Sequence, residues 1–133
     1  ANSTPAFNAN AALPDASDFT ITVTDVTMEG FNIAINYTSD NTRAYFYDIV
    51  SGDYWDNQIE HDMAALKNKM ITSFGWCYNR KSIENNYVID PSIPDFVAGA
   101  KFYIGALAMN ENGPIEGGWA EEVALSEPFY LPE

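Results

Sequence analysis

The segment from Phe102 to Pro114 constrains the fold more than any other part of the chain. It reads Phe-Tyr-Ile-Gly-Ala-Leu-Ala-Met and then Asn-Glu-Asn-Gly-Pro, so small and branched apolar residues alternate up to a cluster of turn formers. Alternation with a period of two is typical of a β-strand, and Asn, Gly and Pro are the residues that build turns. The segment therefore predicts one strand that enters one turn.

Similar alternation predicts further strands before and after this segment. The clearest lies in residues 31–38, where Phe31, Ile33, Ile35 and Tyr37 alternate with polar or small residues. The other predicted strands cover residues 19–27, 44–51, 86–89 and 121–131. Several short strands separated by turn residues indicate a two-sheet sandwich.

A different spacing runs from residue 53 to residue 73. Apolar side chains recur there every three or four positions, as one face of an α-helix requires: Trp55, Ile59, Met63, Leu66 and Met70. Asp53 is predicted as the N-cap, with Asp56 near the capping-box position. These residues predict a helix inserted after the third strand.

Composition limits the domain count and the partners. At 133 residues with 47% apolar residues, the chain is long enough for one domain with its own core. Residues 1–18 lack any periodicity and are predicted to form a linker or tail, which leaves residues 19–133 as the domain.

A net charge of −13 disfavours binding to nucleic acid and to anionic membranes. Cys77 is the only cysteine, so no intrachain disulfide forms, and no apolar run is long enough for membrane insertion.

One motif resembles a known family. The loop and sixth strand of fibronectin type III domains are similar to Phe96-x-Ala98-Gly99-x-x-Phe102-x-Ile104-x-Ala106-x-Ala108-x-Asn110-x-x-Gly113. The resemblance implies a mostly β, seven-stranded, immunoglobulin-like sandwich. The chain departs from the family at Ala98, where the family has proline, and at Phe102, where the family has a tyrosine whose hydroxyl ties the corner. Either packing alone holds this corner, or Tyr103 takes a related role.

A second, narrower likeness concerns residues 44–50 and the acidic helix that follows them. Together they resemble fibronectin-type modules in surface lipoproteins of anaerobic gut bacteria, in which a helical insert replaces the middle of the sandwich. That resemblance implies an extracellular or cell-surface location with a lipid-anchored parent. It also implies a spacer, adhesive or ligand-binding role without catalytic residues or a cofactor. We expect a monomer whose partner is a glycan or another surface protein.

Three sets of residues were considered as chemical sites. His61 lies between Glu60 and Asp62, but neighbouring residues of a helix point about 100° apart and cannot converge on one ion. A nucleophile–base pair of Cys77 and His61 is the enzyme hypothesis, although no motif flanks Cys77. The acidic clusters lack the spacing of a calcium loop. We therefore predict no catalytic residue and no metal site.

The loop after the strand from Phe102 supplies the remaining candidates. Trp119 follows Gly117 and Gly118, and an exposed tryptophan there would form a stacking platform for a sugar or a partner protein. The alternative to exposure is that Trp119 packs inward at the end of the sandwich. The carbohydrate-binding hypothesis uses Trp119 with three neighbouring polar residues: Asn110, Asn112 and Glu116. The leading hypothesis is a non-catalytic spacer or partner-binding module.

Overall fold

The computed structural model describes residues 7–74, 79–114 and 117–133, and within them the chain is mostly β, as predicted. The strands are β1 (Phe19–Thr24), β2 (Gly30–Tyr37), β3 (Ala44–Ser51), β4 (Ile83–Val88), β5 (Lys101–Met109), β6 (Ala124–Leu125) and β7 (Phe129–Tyr130). The helical elements are a 3₁₀ turn (Ala16–Asp18), a π-helical turn (Tyr54–Gln58) and the helix α1 (Met63–Thr72).

The strands form two antiparallel sheets. Sheet A has the order β1-β2-β4, with Ile33 opposite Val23 on one side and Asn85 on the other. Sheet B has β5 at its centre, paired with β3 along one edge and with β6 and β7 along the other. The inner core lies between the sheets and joins Phe31 and Ile33 of β2 to Ile104 of β5. This face-to-face packing gives the molecule a sandwich-like architecture.

A second layer of packing covers the other face of sheet B. This outer core joins Tyr103 and Leu107 of β5 to Trp55 of the π-helical turn and to Leu66 and Met70 of α1. The strand β5 is therefore buried on both faces. That double burial explains why apolar residues occupy nearly every position from residue 102 to residue 109, since strands covered on both faces read as continuous apolar runs.

The predicted single helix at residues 53–73 is two helical segments. Glu60 and His61 adopt left-handed backbone angles, with φ of 50° and 64°, and this turn separates the π-helical turn from α1. Asp53 holds the predicted N-cap position, before the π-helical turn, but its carboxylate makes no capping bond and accepts hydrogen bonds from the Asn57 and Gln58 side chains at 2.9 Å. Asp62 caps α1 instead, because its carboxylate accepts a hydrogen bond from the Ala65 amide at 3.1 Å.

Three strand predictions differ from the structure at their ends. The strand predicted at residues 86–89 is β4, which begins at Ile83 and ends at Val88. The first strand stops at Thr24 because Asp25 has a left-handed φ of 54°, which directs the chain out of the sheet. The last strand is divided into β6 and β7. At the break, the Ser126 hydroxyl accepts a hydrogen bond from the Ile104 amide at 2.9 Å, which replaces a bond of the ladder.

Aromatic packing holds the corner before β5. The Phe102 ring stacks on Phe96 with centroids 4.9 Å apart. The Gly99 amide, at a φ of 77°, donates a 3.1 Å hydrogen bond to the Leu131 carbonyl. The Tyr103 hydroxyl points to the opposite face of sheet B, where it donates to Asp56 at 3.1 Å. Tyr103 therefore does not take the role of the corner tyrosine.

Candidate functional site

The loop after β5 buries the tryptophan that the carbohydrate hypothesis needs. Trp119 is 5% exposed and belongs to the outer core. Its ring meets Phe46 and Phe74 edge-on, at centroid distances of 5.6 and 5.4 Å. A bridge to Met109 continues the edge of sheet B, and this pairing turns the side chain inward. Of the two alternatives for Trp119, the structure shows inward packing, because contact with two aromatic rings removes its apolar surface from water.

Asn110 and Asn112 are also buried, at 2% and 7% exposure, but they point toward the N-terminal segment. The Asn112 side chain accepts a hydrogen bond from the Asn8 amide and donates one to the Asn8 carbonyl, both at 2.8 Å. The Asn110 side chain donates to the carbonyls of Ala12 at 3.2 Å and Ala11 at 3.5 Å. We call the Asn110 and Asn112 side chains the amide slot. Glu116, the fourth residue of the predicted site, lies outside the described residues.

The N-terminal segment continues from the amide slot onto the sandwich. Pro14 is buried, and Ala16 packs against the inner core. Residues 7–18 thus lie against the domain, whereas the domain boundary at residue 18 stays a prediction. The isolated apolar residues Phe7 and Leu13 were the only sequence signal for this contact. The partners Asn8 and Asn112 are 104 positions apart, and no local pattern connects them.

A polar cluster joins the π-helical turn to β5. Asp56 lies at its centre and accepts hydrogen bonds from Lys101 at 2.8 Å and Tyr103 at 3.1 Å, and it is bonded to the His61 ring at 2.7 Å. These bonds, from Lys101 and His61 above all, lower the pKa of Asp56 to about 2. The same bond to Asp56, followed by the contact with Tyr103, raises the pKa of Lys101. Asp56 is therefore an ionised carboxylate at neutral pH, and Lys101 is its cation.

This cluster holds two layers of the fold together, because Asp56 of the π-helical turn binds Lys101 and Tyr103 of β5. His61 stacks on Trp55 with centroids 5.0 Å apart, and its ring is held by Asp56 although 61% of the side chain is exposed. The spacing of His61 with Glu60 and Asp62 gave no indication of this bond to Asp56. Cys77 lies outside the described residues, so the pair of Cys77 and His61 stays a prediction. Among the residues that the structure describes, no group of three or more His, Cys, Asp or Glu side chains is placed to hold a metal ion.

A shallow groove of about 500 Å³ runs beside α1. Met63, Ala64 and Ile71 of α1 supply apolar lining, and Glu121 and Glu122 line it from the loop before β6. The same two carboxylates line a second cavity of about 310 Å³, which extends to residues 13–16. The surface between α1 and the N-terminal segment is therefore apolar in part and acidic along one side.

These features define a mostly β protein with two antiparallel sheets, a helical layer on one of them and a docked N-terminal segment. Comparison with family models, with curated proteins and with solved structures found no match. In the described ranges, no helix has the length and apolar character needed to cross a membrane.

Proposed function

We propose that the chain is a non-catalytic module of a bacterial cell-surface protein, with a lipid-anchored parent, and that it acts as a spacer or partner-binding domain. The order of strand pairing carries this proposal. Immunoglobulin-like sandwiches place their first, second and fifth strands in one sheet and their third, sixth and seventh in the other. Here β1, β2 and β4 share sheet A, while β3, β5 and β6 share sheet B. The two orders agree if the helical segments after β3 replace the fourth strand of the sandwich. In that case β4, β5 and β6 correspond to its fifth, sixth and seventh strands.

The use of the polar side chains supports a non-catalytic role. Asp56, His61, Lys101 and Tyr103 are the side chains in the described residues that most resemble a reactive cluster. His61, Lys101 and Tyr103 each bind Asp56 at the junction of the π-helical turn and β5. Their geometry serves to hold two layers together, and the strand order supports a fibronectin type III-like sandwich with a helical insert.

The surface location can be tested on the bacterium that encodes the chain. Antibodies against the purified chain are expected to label intact cells, and brief external protease treatment is expected to remove that label. A cytoplasmic protein labelled only after permeabilisation serves as the control. If the chain behaves like the cytoplasmic control, the cell-surface proposal is wrong.

The groove beside α1 supports a partner-binding role in particular. Its apolar lining comes from Met63 and Ile71. Glu121 and Glu122 outnumber the one lysine of its lining, Lys67, so the groove suits a partner that presents apolar and cationic groups.

The purified chain is added to cells that do not make it, and the amount that stays bound is measured. We expect a Glu121→Lys/Glu122→Lys variant to bind these cells less than the native chain does. A Glu84→Lys/Glu111→Lys variant changes the net charge equally on other surfaces and is expected to bind as before. Equal retention of both variants would contradict a role for the groove.

The burial of Trp119 argues against the carbohydrate-binding alternative. A stacking platform requires an exposed ring face, and Trp119 is enclosed by Phe46 and Phe74. The amide slot is likewise filled by the main chain of residues 8–12.

A further inference from the structure

The amide slot recognises the main chain of residues 8–12, which form a turn closed by a 3.1 Å hydrogen bond from the Ala11 amide to the Asn8 carbonyl. Each of the four described bonds between the slot and the N-terminal segment joins a side-chain amide to a backbone N–H or carbonyl of Asn8, Ala11 or Ala12. The side chains of residues 7–10 are exposed, and the first buried residue of the segment is Pro14. Little apolar burial therefore holds residues 7–12 in place, and the hydrogen bonds of the slot provide the attachment.

The slot favours an occupant over an open state. Asn110 and Asn112 are 2% and 7% exposed with the segment in place, and a segment that leaves exchanges its hydrogen bonds to both amides for bonds to water. A second copy of this turn that offers an N–H and a carbonyl at the position of Asn8 satisfies Asn112 as its own segment does. Since the contacts are to the backbone, the slot does not distinguish this chain's segment from an identical segment on another molecule.

Charge determines which segment can approach. The molecule carries a net charge of −13, so most contacts between two copies are repulsive. Residues 1–14 contain no Asp, Glu, Lys or Arg, and every charged residue of the chain lies after Pro14. The N-terminal segment is therefore the one long stretch that can reach a second acidic copy without bringing like charge to it. Seven residue steps from Pro14 to Phe7 extend to about 25 Å, which is close to the diameter of a small domain.

We propose that the amide slot binds residues 7–12 of a second copy in exchange for its own, so that copies of the chain associate through their N-terminal segments. Pro14 and the 3₁₀ turn stay on their own sandwich, and the segment before them crosses to the neighbour. Reciprocal exchange closes a dimer, and one-way exchange extends a row of modules. The interaction surface is the end of the sandwich that carries Asn110 and Asn112.

A synthetic peptide of residues 1–14 tests recognition by the slot in the full chain. The peptide is added to ¹⁵N-labelled protein at about 5 mM, because a tethered segment competes at a millimolar effective concentration. The main-chain amide signals of residues 8–12 are expected to move to the positions of the free segment, while the side-chain amide signals of Asn110 and Asn112 keep their positions. A peptide that is N-methylated at residue 8 lacks the N–H that Asn112 accepts and is expected to displace about fivefold less. No displacement, or equal displacement by the two peptides, overturns the proposal.

Sedimentation velocity tests association between copies. From about 0.01 to 1 mM protein, we expect a growing fraction of dimers or larger species, which excess unmodified peptide returns to monomer. Exchange gives every slot an identical occupant, so Asn112→Ala is expected to leave the monomer–dimer ratio unchanged, as is the control Asn86→Ala on the exposed face of sheet A. A ratio that Asn112→Ala alone shifts would mean that the copies associate through a contact other than exchange. A chain that stays monomeric throughout, or association that the peptide does not reverse, overturns the proposal. If Asn112→Ala does not fold, the comparison of the two peptides still decides on the native chain.

Discussion

Asp56 shows how one residue can connect elements that are far apart in the chain. Its two carboxylate oxygens bind Lys101 and Tyr103 of β5, some 45 positions away, and His61 on the other side of the left-handed turn. An ionised carboxylate with three such partners is stabilised by the folded state, which is why its pKa falls. The free energy of unfolding should therefore depend on the charge of this group.

Replacement of Asp56 by Asn should lower the melting temperature at neutral pH, since the amide keeps the shape but loses the charge that pairs with Lys101. The folded pKa is about 2 and an unfolded aspartate titrates near 3.9. The stabilisation is thus complete above about pH 5 and is lost as the pH falls from about 4 to about 2. Thermal melts of both proteins from pH 2 to pH 7 measure the difference. A gap that does not narrow in acid would contradict the ionic origin of the effect.

Tyr45 provides a corresponding test in alkali. It is fully buried, and its hydroxyl donates to the Lys81 carbonyl at 2.8 Å. Burial raises its pKa to about 12. Unfolded tyrosine ionises near 10, so the contribution of this group is complete below pH 10 and is lost as the pH rises toward 12. Tyr45→Phe should lower the free energy of unfolding by about 1 kcal/mol at pH 7. Between pH 10 and pH 12, the free energy of unfolding of this variant should fall less than that of the native chain. Urea unfolding at each pH measures both.

The sequence also indicated some residue contacts and not others. The sequence predicts Asn110 and Asn112 as ligand-binding residues, and in the structure both bind the chain's own N-terminal segment, so binding of a separate ligand stays a prediction. Trp119 was placed beside them because it is near in sequence. A bridge to Met109 turns it into the outer core, away from the amide slot. These outcomes depend on contacts between distant parts of the chain, which composition and local spacing do not contain.

At the scale of elements, β5 organises the molecule because both of its faces are buried. Gly105 illustrates how closely the layers approach, since a Cβ atom built there would lie 3.1 Å from Val123 and 3.4 Å from the Met70 sulfur. The alternating pattern identified this strand, and its predicted extent agrees with Lys101–Met109 to within a residue at each end. The second buried face was not predicted, since the helical cover comes from a separate part of the chain.

The helix α1 should contribute to stability through the outer core. Leu66 is buried against sheet B, and its replacement by Ala should lower the free energy of unfolding by about 2–5 kcal/mol through lost burial and a cavity. Asn68 lies on the exposed face of the same helix, so Asn68→Ala should change the free energy of unfolding by less than about 0.5 kcal/mol. Chemical denaturation of the three proteins provides the comparison. Similar values for the two variants would mean that α1 adds little to the core.

The left-handed turn between the helical segments is where the helix prediction failed, and it can be tested directly. Glu60 is exposed and has a φ of 50°, a conformation that costs a side-chain-bearing residue about 1–2 kcal/mol. Glu60→Gly should leave stability unchanged or raise it by up to about 1 kcal/mol. Glu60→Val, with its branched Cβ, should lower stability by about 1–2 kcal/mol. Equal melting temperatures for the two variants would argue for a continuous helix.

The spacing of apolar residues in this region still identified the buried side. Trp55, Leu66 and Met70 all enter the outer core although a turn interrupts the helix. Burial of an apolar side chain depends on which face it occupies, and the π-helical turn and α1 present the same face to sheet B. The position of the break was not visible in the pattern, because a tertiary contact between Asp56 and β5 supports it.

At the scale of the whole molecule, layered apolar packing opposes a large excess of negative charge. The described ion pair of Asp56 with Lys101 uses one carboxylate, while the chain has 19 acidic residues and 6 basic ones. Repulsion among the remaining carboxylates favours expansion of the chain. Composition predicted this excess, and the two cores show what counters it.

Added salt should therefore stabilise the fold. The Debye length falls from about 30 Å at 0.01 M to about 10 Å at 0.1 M, so repulsion across a domain of this size is progressively screened. If screening relieves about 1 kcal/mol, the melting temperature should rise by about 4 °C. Calorimetry in 0.01–0.5 M NaCl measures the rise. Exposed Glu29, Glu84 and Glu111 supply the matched control, because replacing all three by Gln brings the net charge from −13 to −10 and should reduce the slope. A melting temperature that falls with salt would mean that the ion pair of Asp56 with Lys101 outweighs the repulsion of the whole surface.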